Sequence, residues 1–93
     1  MITPLQEKII KDTLTPYHPA LVGVFGSYAR NEHTDKSDMD ILIDLKNKYT
    51  LLDLIGIEEE LSNLLGIKVD LVTFKSLNNR IKPYIEKDLI RII

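Results

Sequence analysis

The chain has 93 residues, 44% of them hydrophobic and 28% charged, with a formal net charge of -2. That length holds one domain but not two independent cores, and the charge argues against non-specific nucleic-acid binding, which needs a concentrated basic face. With no cysteine, disulfides and thiolate metal sites are excluded, and no apolar stretch approaches the ~20 residues that span a bilayer.

No signal-peptide pattern opens the sequence, so a cytoplasmic protein is the default expectation. Thr3-Pro4-Leu5-Gln6 reads as a capping-box helix start, and Leu5, Ile9, Ile10 and Leu14 follow at helical spacing. Pro16 and Pro19 are expected to stop this helix. Leu21 to Phe25 is a short apolar run with β-branched residues, hence a buried strand. Gly26-Ser27 ends it, and Tyr28-Ala29-Arg30 is expected to begin a brief helix, followed by a polar loop from Asn31 to Ser37.

Asp40 to Asp44 is the second expected strand. A long helix is predicted from Leu51 to Leu65, its apolar residues mostly on one side, with Gly66 placed to end it in left-handed geometry. Lys68 to Thr73 is the third strand, and Ser76 is a candidate cap for a last helix interrupted near Pro83. Leu89 to Ile93 reads equally well as the end of that helix or as a final strand. The order α-β-α-β-α-β-α predicts an α/β (α+β) fold, a small mixed sheet flanked by helices, in a single domain over residues 1–93.

The chemistry concentrates in three places. Gly26-Ser27 follows a buried strand at the mouth of an expected helix, where free N–H groups and a hydroxyl suit a phosphate. Asp38 and Asp40, two apart at the head of a strand, point to one side with Cα atoms roughly 6.5–7 Å apart. Their repulsion is about 2–3 kcal/mol at an effective dielectric of 20, so an enclosed pair needs a cation. Oxygen ligands without cysteine or nearby histidine select Mg²⁺ or Mn²⁺ over zinc. Asp70 interrupts the third strand, with Val69 and Leu71 facing the core and its own side chain directed oppositely.

Singly, each feature has an ordinary reading as a turn, a wet strand end or an alternating strand. Gly-Ser followed at this spacing by D-x-D arises by chance on the order of once per thousand chains of this length. Gly26-Ser27-Tyr28-Ala29-Arg30 with Ser37-Asp38-Met39-Asp40 resembles the G-S-x-A-R and S-D-x-D signatures of minimal nucleotidyltransferases, within the polymerase-β-like superfamily. The resemblance covers essentially the whole chain. Asn31 departs from it, standing where the family often has Gly, but Asn also tolerates left-handed geometry.

The resemblance implies that Asp38, Asp40 and Asp70 form a catalytic triad of acids holding two Mg²⁺ ions, with Asp70 as base. Gly26 and Ser27 would hold the triphosphate of ATP. Arg30 is a further nucleotide-binding candidate, with pairing to Glu32 or Asp44 as its alternative. His18 and His33 read as solvated loop histidines, Glu58-Glu59-Glu60 as a wet helix face, and the four tyrosines as too scattered for a stacking platform.

Nothing beyond the core fold remains to shape an acceptor pocket. The resemblance implies a partner: a helical HEPN-domain toxin, adenylylated on a tyrosine by this chain as its antitoxin. A homo-oligomer is compatible with the sequence; membrane association and direct nucleic-acid binding are not expected. The rival readings are a non-catalytic module that occludes the toxin, and a nucleotidyltransferase acting on a small-molecule antibiotic.

Overall fold

The computed structural model describes residues 2–93. Helix α1 runs Pro4–Leu14, strand β1 Pro19–Phe25, β2 Met39–Leu45, helix α2 Leu51–Leu65, β3 Val69–Thr73, helix α3 Lys82–Asp88 and β4 Ile90–Arg91. They form one four-stranded mixed sheet in the order β3-β2-β1-β4. β1 pairs antiparallel with β2 and β4, while β2 and β3 are parallel, as the intervening α2 crossover requires.

The Thr3 hydroxyl accepts from the Gln6 amide at 3.1 Å and the Gln6 side chain accepts from the Thr3 amide at 2.9 Å, so α1 starts in the expected capping box. Thr50 and Asp53 make a second capping box at the head of α2 that the sequence reading passed over. Gly66 ends α2 at φ 67°, left-handed as expected.

Other boundaries differ. α1 does end at Leu14, just before Pro16 as expected, but Pro16 itself opens a 3₁₀ turn, Thr15–Tyr17, and the left-handed residue is His18, with φ 54°. Ser76 caps no helix: its hydroxyl donates to the Thr73 carbonyl within a 3₁₀ turn, and α3 begins later, with Pro83 in its first turn. The last residues settle as strand β4 against β1, so the sheet has four strands rather than three.

One face of the sheet carries the core. Val22 and Val24 of β1, Met39, Ile41 and Ile43 of β2 and Val69 of β3 pack with Ile10 and Leu14 of α1 and Ile57 and Leu61 of α2, all essentially inaccessible. Full burial of side chains this size contributes roughly 1.5–3 kcal/mol each. The apolar surface of α2 is wider than this contact. Leu54, Ile57, Leu61 and Leu65 meet the core, but Leu51, Ile55 and Leu64 remain exposed, because a helix lying on a sheet hides only part of its circumference. Among the described residues, no helix is long and apolar enough to cross a membrane.

The opposite face is partly covered by the segment around α3. Leu89 lies so close over Gly23 that any side chain at position 23 would collide with it. The rest of that face, toward β2 and β3, is where the acidic residues emerge.

Candidate active site

The topology gathers the site at one end of the sheet. Because β1 and β2 are antiparallel, the end of β1 meets the start of β2, with Phe25 opposite Asp40. Because β2 and β3 are parallel, their starts also coincide, and Asp40 stands in register with Asp70. Paired residues on neighbouring strands share a face, so both carboxylates project from the side away from the core. Asp38 lies two residues before Asp40, just outside β2.

The electrostatics report the same convergence. The Asp40 carboxyl is pushed above its ordinary range, first by burial and then by Asp70 and Asp38, with Arg30 pulling the other way. Lys68, on the run into β3, approaches Asp38 at 3.7 Å, and its backbone carbonyl accepts from the Met39 amide at 2.9 Å. This ion pair is well exposed and contributes little to stability. Lys68 escaped the sequence reading, although its spacing of two from Asp70 placed it beside the acids.

Gly26 sits at the junction for two reasons. Its φ of +75° is costly for any residue with a side chain, and a Cβ there would overlap the Asp40 carboxylate. A glycine is thus required for Asp40 to lie flat against the turn. The expected helix at Tyr28–Arg30 is absent: residues 26–31 form a turn, with the Arg30 amide bonded to the Gly26 carbonyl and the Glu32 amide to that of Ser27. Left-handed residues at both ends, Gly26 and Asn31 (φ 59°), stop helical geometry from propagating. No helix dipole is available here. Among the described residues, however, the amides of Ser27, Tyr28 and Ala29 donate to no backbone carbonyl, so the turn has backbone donors to spare for an anion.

Tyr28 anchors the turn. It is 5% exposed, and His33 stacks on its ring at 4.0 Å between centroids. His33 is therefore no solvated loop histidine; its Nδ1 is buried, with no hydrogen-bond partner among the described residues. Arg30 donates to Asp88 at 2.7 Å and to Glu32 at 3.1 Å, tying the turn to the end of α3. The Glu32 pair was one of the sequence alternatives; Asp88 was invisible there, 58 residues away. Glu58 also departs from expectation, since it accepts from the Leu71 amide rather than lining a wet face.

The donor set fits a hard divalent cation: three carboxylates, one half-buried and destabilised by the others, whose repulsion a cation relieves. Among the described residues, no three acidic or histidine side chains are already drawn into a coordination sphere. A separate concavity of about 380 Å³ is lined by Lys46, Asn47, Lys48, Tyr49 and Lys75, at the far end of β2. Its basic lining cannot hold a cation, so it is not the acidic site.

Comparison with known proteins identifies the family. The nucleotidyltransferase domain family matches residues 6–92. A candidate protein adenylyltransferase of Methanocaldococcus jannaschii is 48% identical over 92 residues, spanning 98% of this chain and 94% of that protein. The protein adenylyltransferase MntA of Thermococcus cleftensis is 42% identical over 71 residues, covering 76% of this chain and 72% of its own. Among solved structures, a complex of a tri-AMPylated HEPN toxin with its MNT antitoxin, from Shewanella oneidensis, superposes with a TM-score of 0.77 at 21% identity, over 96% of this chain and 70% of that one. At that identity the likeness establishes the shared fold.

Proposed function

The chain belongs to the nucleotidyltransferase domain family, and from that premise we propose that residues 1–93 act as one minimal, Mg²⁺-dependent adenylyltransferase domain. One observation carries this reading: Asp40 lies in register with Asp70 and feels Asp38, beside a turn whose Gly26 leaves room for that carboxylate alone.

In this reading the Ser27 hydroxyl and the free amides of the turn hold the triphosphate of ATP. Asp38, Asp40 and Asp70 would hold two magnesium ions, whose charge would offset that of the triphosphate and of the departing pyrophosphate. Asp70 accepts the proton of the acceptor hydroxyl as its oxygen attacks the α-phosphorus. The bond from the α-phosphorus to the β-bridging oxygen breaks, pyrophosphate leaves, and the acceptor carries AMP. Arg30, held by Glu32 through Nε and by Asp88 through Nη1, tempers the negative charge around Asp40 and keeps further N–H donors for a phosphate.

The acceptor we propose is a tyrosine hydroxyl on a HEPN-domain toxin, with this chain as the cytoplasmic antitoxin. The AMPylated toxin in the Shewanella complex supports that choice. Co-expression with a HEPN partner, followed by mass spectrometry, should show added AMP on the partner and none with Asp38→Asn/Asp40→Asn. Toxin neutralisation that survives this double substitution undiminished would instead establish the occluding, non-catalytic module.

A further inference from the structure

The parallel edge of the sheet is held in an unusual way. Among the described residues, β3 is an edge strand, with β2 on one side and no strand on the other. Its outward amides would ordinarily face water or recruit another strand. Here the Val69 amide donates to the Ser62 hydroxyl at 3.0 Å and the Leu71 amide donates to the Glu58 carboxylate at 2.9 Å. The Ser62 hydroxyl in turn donates to the Glu58 carbonyl at 2.8 Å, so it is satisfied as both donor and acceptor. All three bonds are partly buried.

The two spacings match. Glu58 and Ser62 lie one helical turn apart, a rise of about 6 Å. Val69 and Leu71 lie two strand residues apart, about 6.6 Å. An antiparallel α2 can therefore grip two successive outward amides at once. The residue between those amides is Asp70.

We propose that Glu58 and Ser62 are positioning residues for Asp70, an α2 clamp that fixes the one site carboxylate carried by an edge strand. Asp40 needs no such device, because β2 is laddered on both sides. Asp70 has a ladder on one side only, and a strand free to fray there would carry its carboxylate away from Asp40. The clamp acts from the core face, where Val69 is buried, on a side chain that emerges on the opposite face. This inference rests on the adenylyltransferase reading for its kinetic consequence but not for its structural one.

The test compares Glu58→Ala, Glu58→Gln and Ile57→Val in the full-length protein. Glutamine keeps an oxygen that can accept from Leu71, and Ile57→Val thins the same helix's core contact without touching either amide. Amide hydrogen exchange at Leu71 should accelerate in Glu58→Ala, stay near wild type in Glu58→Gln, and stay low in Ile57→Val. Mg²⁺ titration followed by NMR at Asp70 should weaken only in Glu58→Ala. In AMP transfer, Glu58→Ala should lower kcat by about tenfold with the KM for ATP nearly unchanged, because misplacing a reacting group by a fraction of an ångström costs on that order. Glu58→Gln should restore the rate.

Unchanged Leu71 exchange in Glu58→Ala would overturn the clamp. So would a kcat loss no greater than that of Ile57→Val, or an equal loss in Glu58→Gln. A wild-type protein that transfers no AMP would overturn the adenylyltransferase reading, and the exchange and titration arms would still decide the clamp.

Discussion

Strand β2 presents Met39, Ile41, Ile43 and Leu45 on one side and Asp40, Leu42 and Asp44 on the other, and the two sides meet opposite demands. The first side is sealed beneath α1 and α2, with all four residues in the buried core. On the second side, Leu42 is sealed as well, but Asp40 stays partly open and is less comfortable as an anion than a free carboxylate. The strand period of two lets neighbouring residues serve unrelated ends: odd positions hold the fold together, and even positions near the start of the strand hold charge the fold would otherwise avoid. Substitutions one residue apart should therefore fail in different ways.

The sharpest contrast is between Asp38→Asn/Asp40→Asn and Ile41→Ala. The double substitution should reduce AMP transfer by about a thousandfold or more, since it removes the charge proposed to hold the ions, while leaving the melting temperature at or above that of wild type. Ile41→Ala should cost roughly 2–5 kcal/mol of stability through the cavity it leaves, yet retain transfer at temperatures where it stays folded. Calorimetry and a labelled-ATP assay on both proteins test the contrast. Equal destabilisation by the two would show that the acids are structural.

Gly26→Ala should come next, because it injures both sides together. Left-handed geometry costs an alanine about 1–2 kcal/mol, and the new methyl group must displace the Asp40 carboxylate. A lower melting temperature and a large loss of Mg²⁺ affinity should appear in one variant. Loss of stability with metal binding intact would mean that the turn and Asp40 are less tightly coupled than their contact indicates. Ser27→Ala should do less: a several-fold rise in the KM for ATP with little change in Mg²⁺ affinity, from loss of one donor among several. Equal loss of both would reduce Ser27 to a turn residue.

The same two-sidedness decided what could be read from the sequence. Apolar periodicity and capping chemistry are local, and they located α1, α2 and the first three strands to within a residue or two. Asp38 and Asp40 were legible as a pair of carboxylates two residues apart, and Asp70 because a carboxylate in mid-strand contradicts local propensity. What stayed hidden was set by distance along the chain. Asp88 meets Arg30 across 58 residues, and Glu58 meets Leu71 only once α2 has folded back along β3. His33 looked like a polar loop residue because its stacking partner, Tyr28, is defined by a turn rather than by a pattern. The expected helix after Gly26 failed because left-handed residues at both ends outweighed the helix propensity between them. Strand β4 was ambiguous because a two-residue strand has no measurable period.

The smallest predicted effect is the most direct measure of how Asp40 is held. Its carboxyl titrates above the ordinary value because burial, then Asp70 and Asp38, disfavour the charged form. Folding therefore favours the protonated acid. That contribution is fully present below the unfolded carboxyl value near 3.9 and is lost as pH rises through the raised folded value. Above that window wild type carries an ionised Asp40 at a constant disadvantage, which Asp40→Asn lacks. In EDTA at neutral pH, Asp40→Asn should melt slightly higher than wild type, by a margin kept small because the carboxyl is partly solvated. The margin should close on acidification below the unfolded value, and added Mg²⁺ should shrink or invert it by stabilising only the charged site. A gap unmoved by both pH and magnesium would mean that asparagine merely packs better there, and that the acids at this end of the sheet do not act on one another.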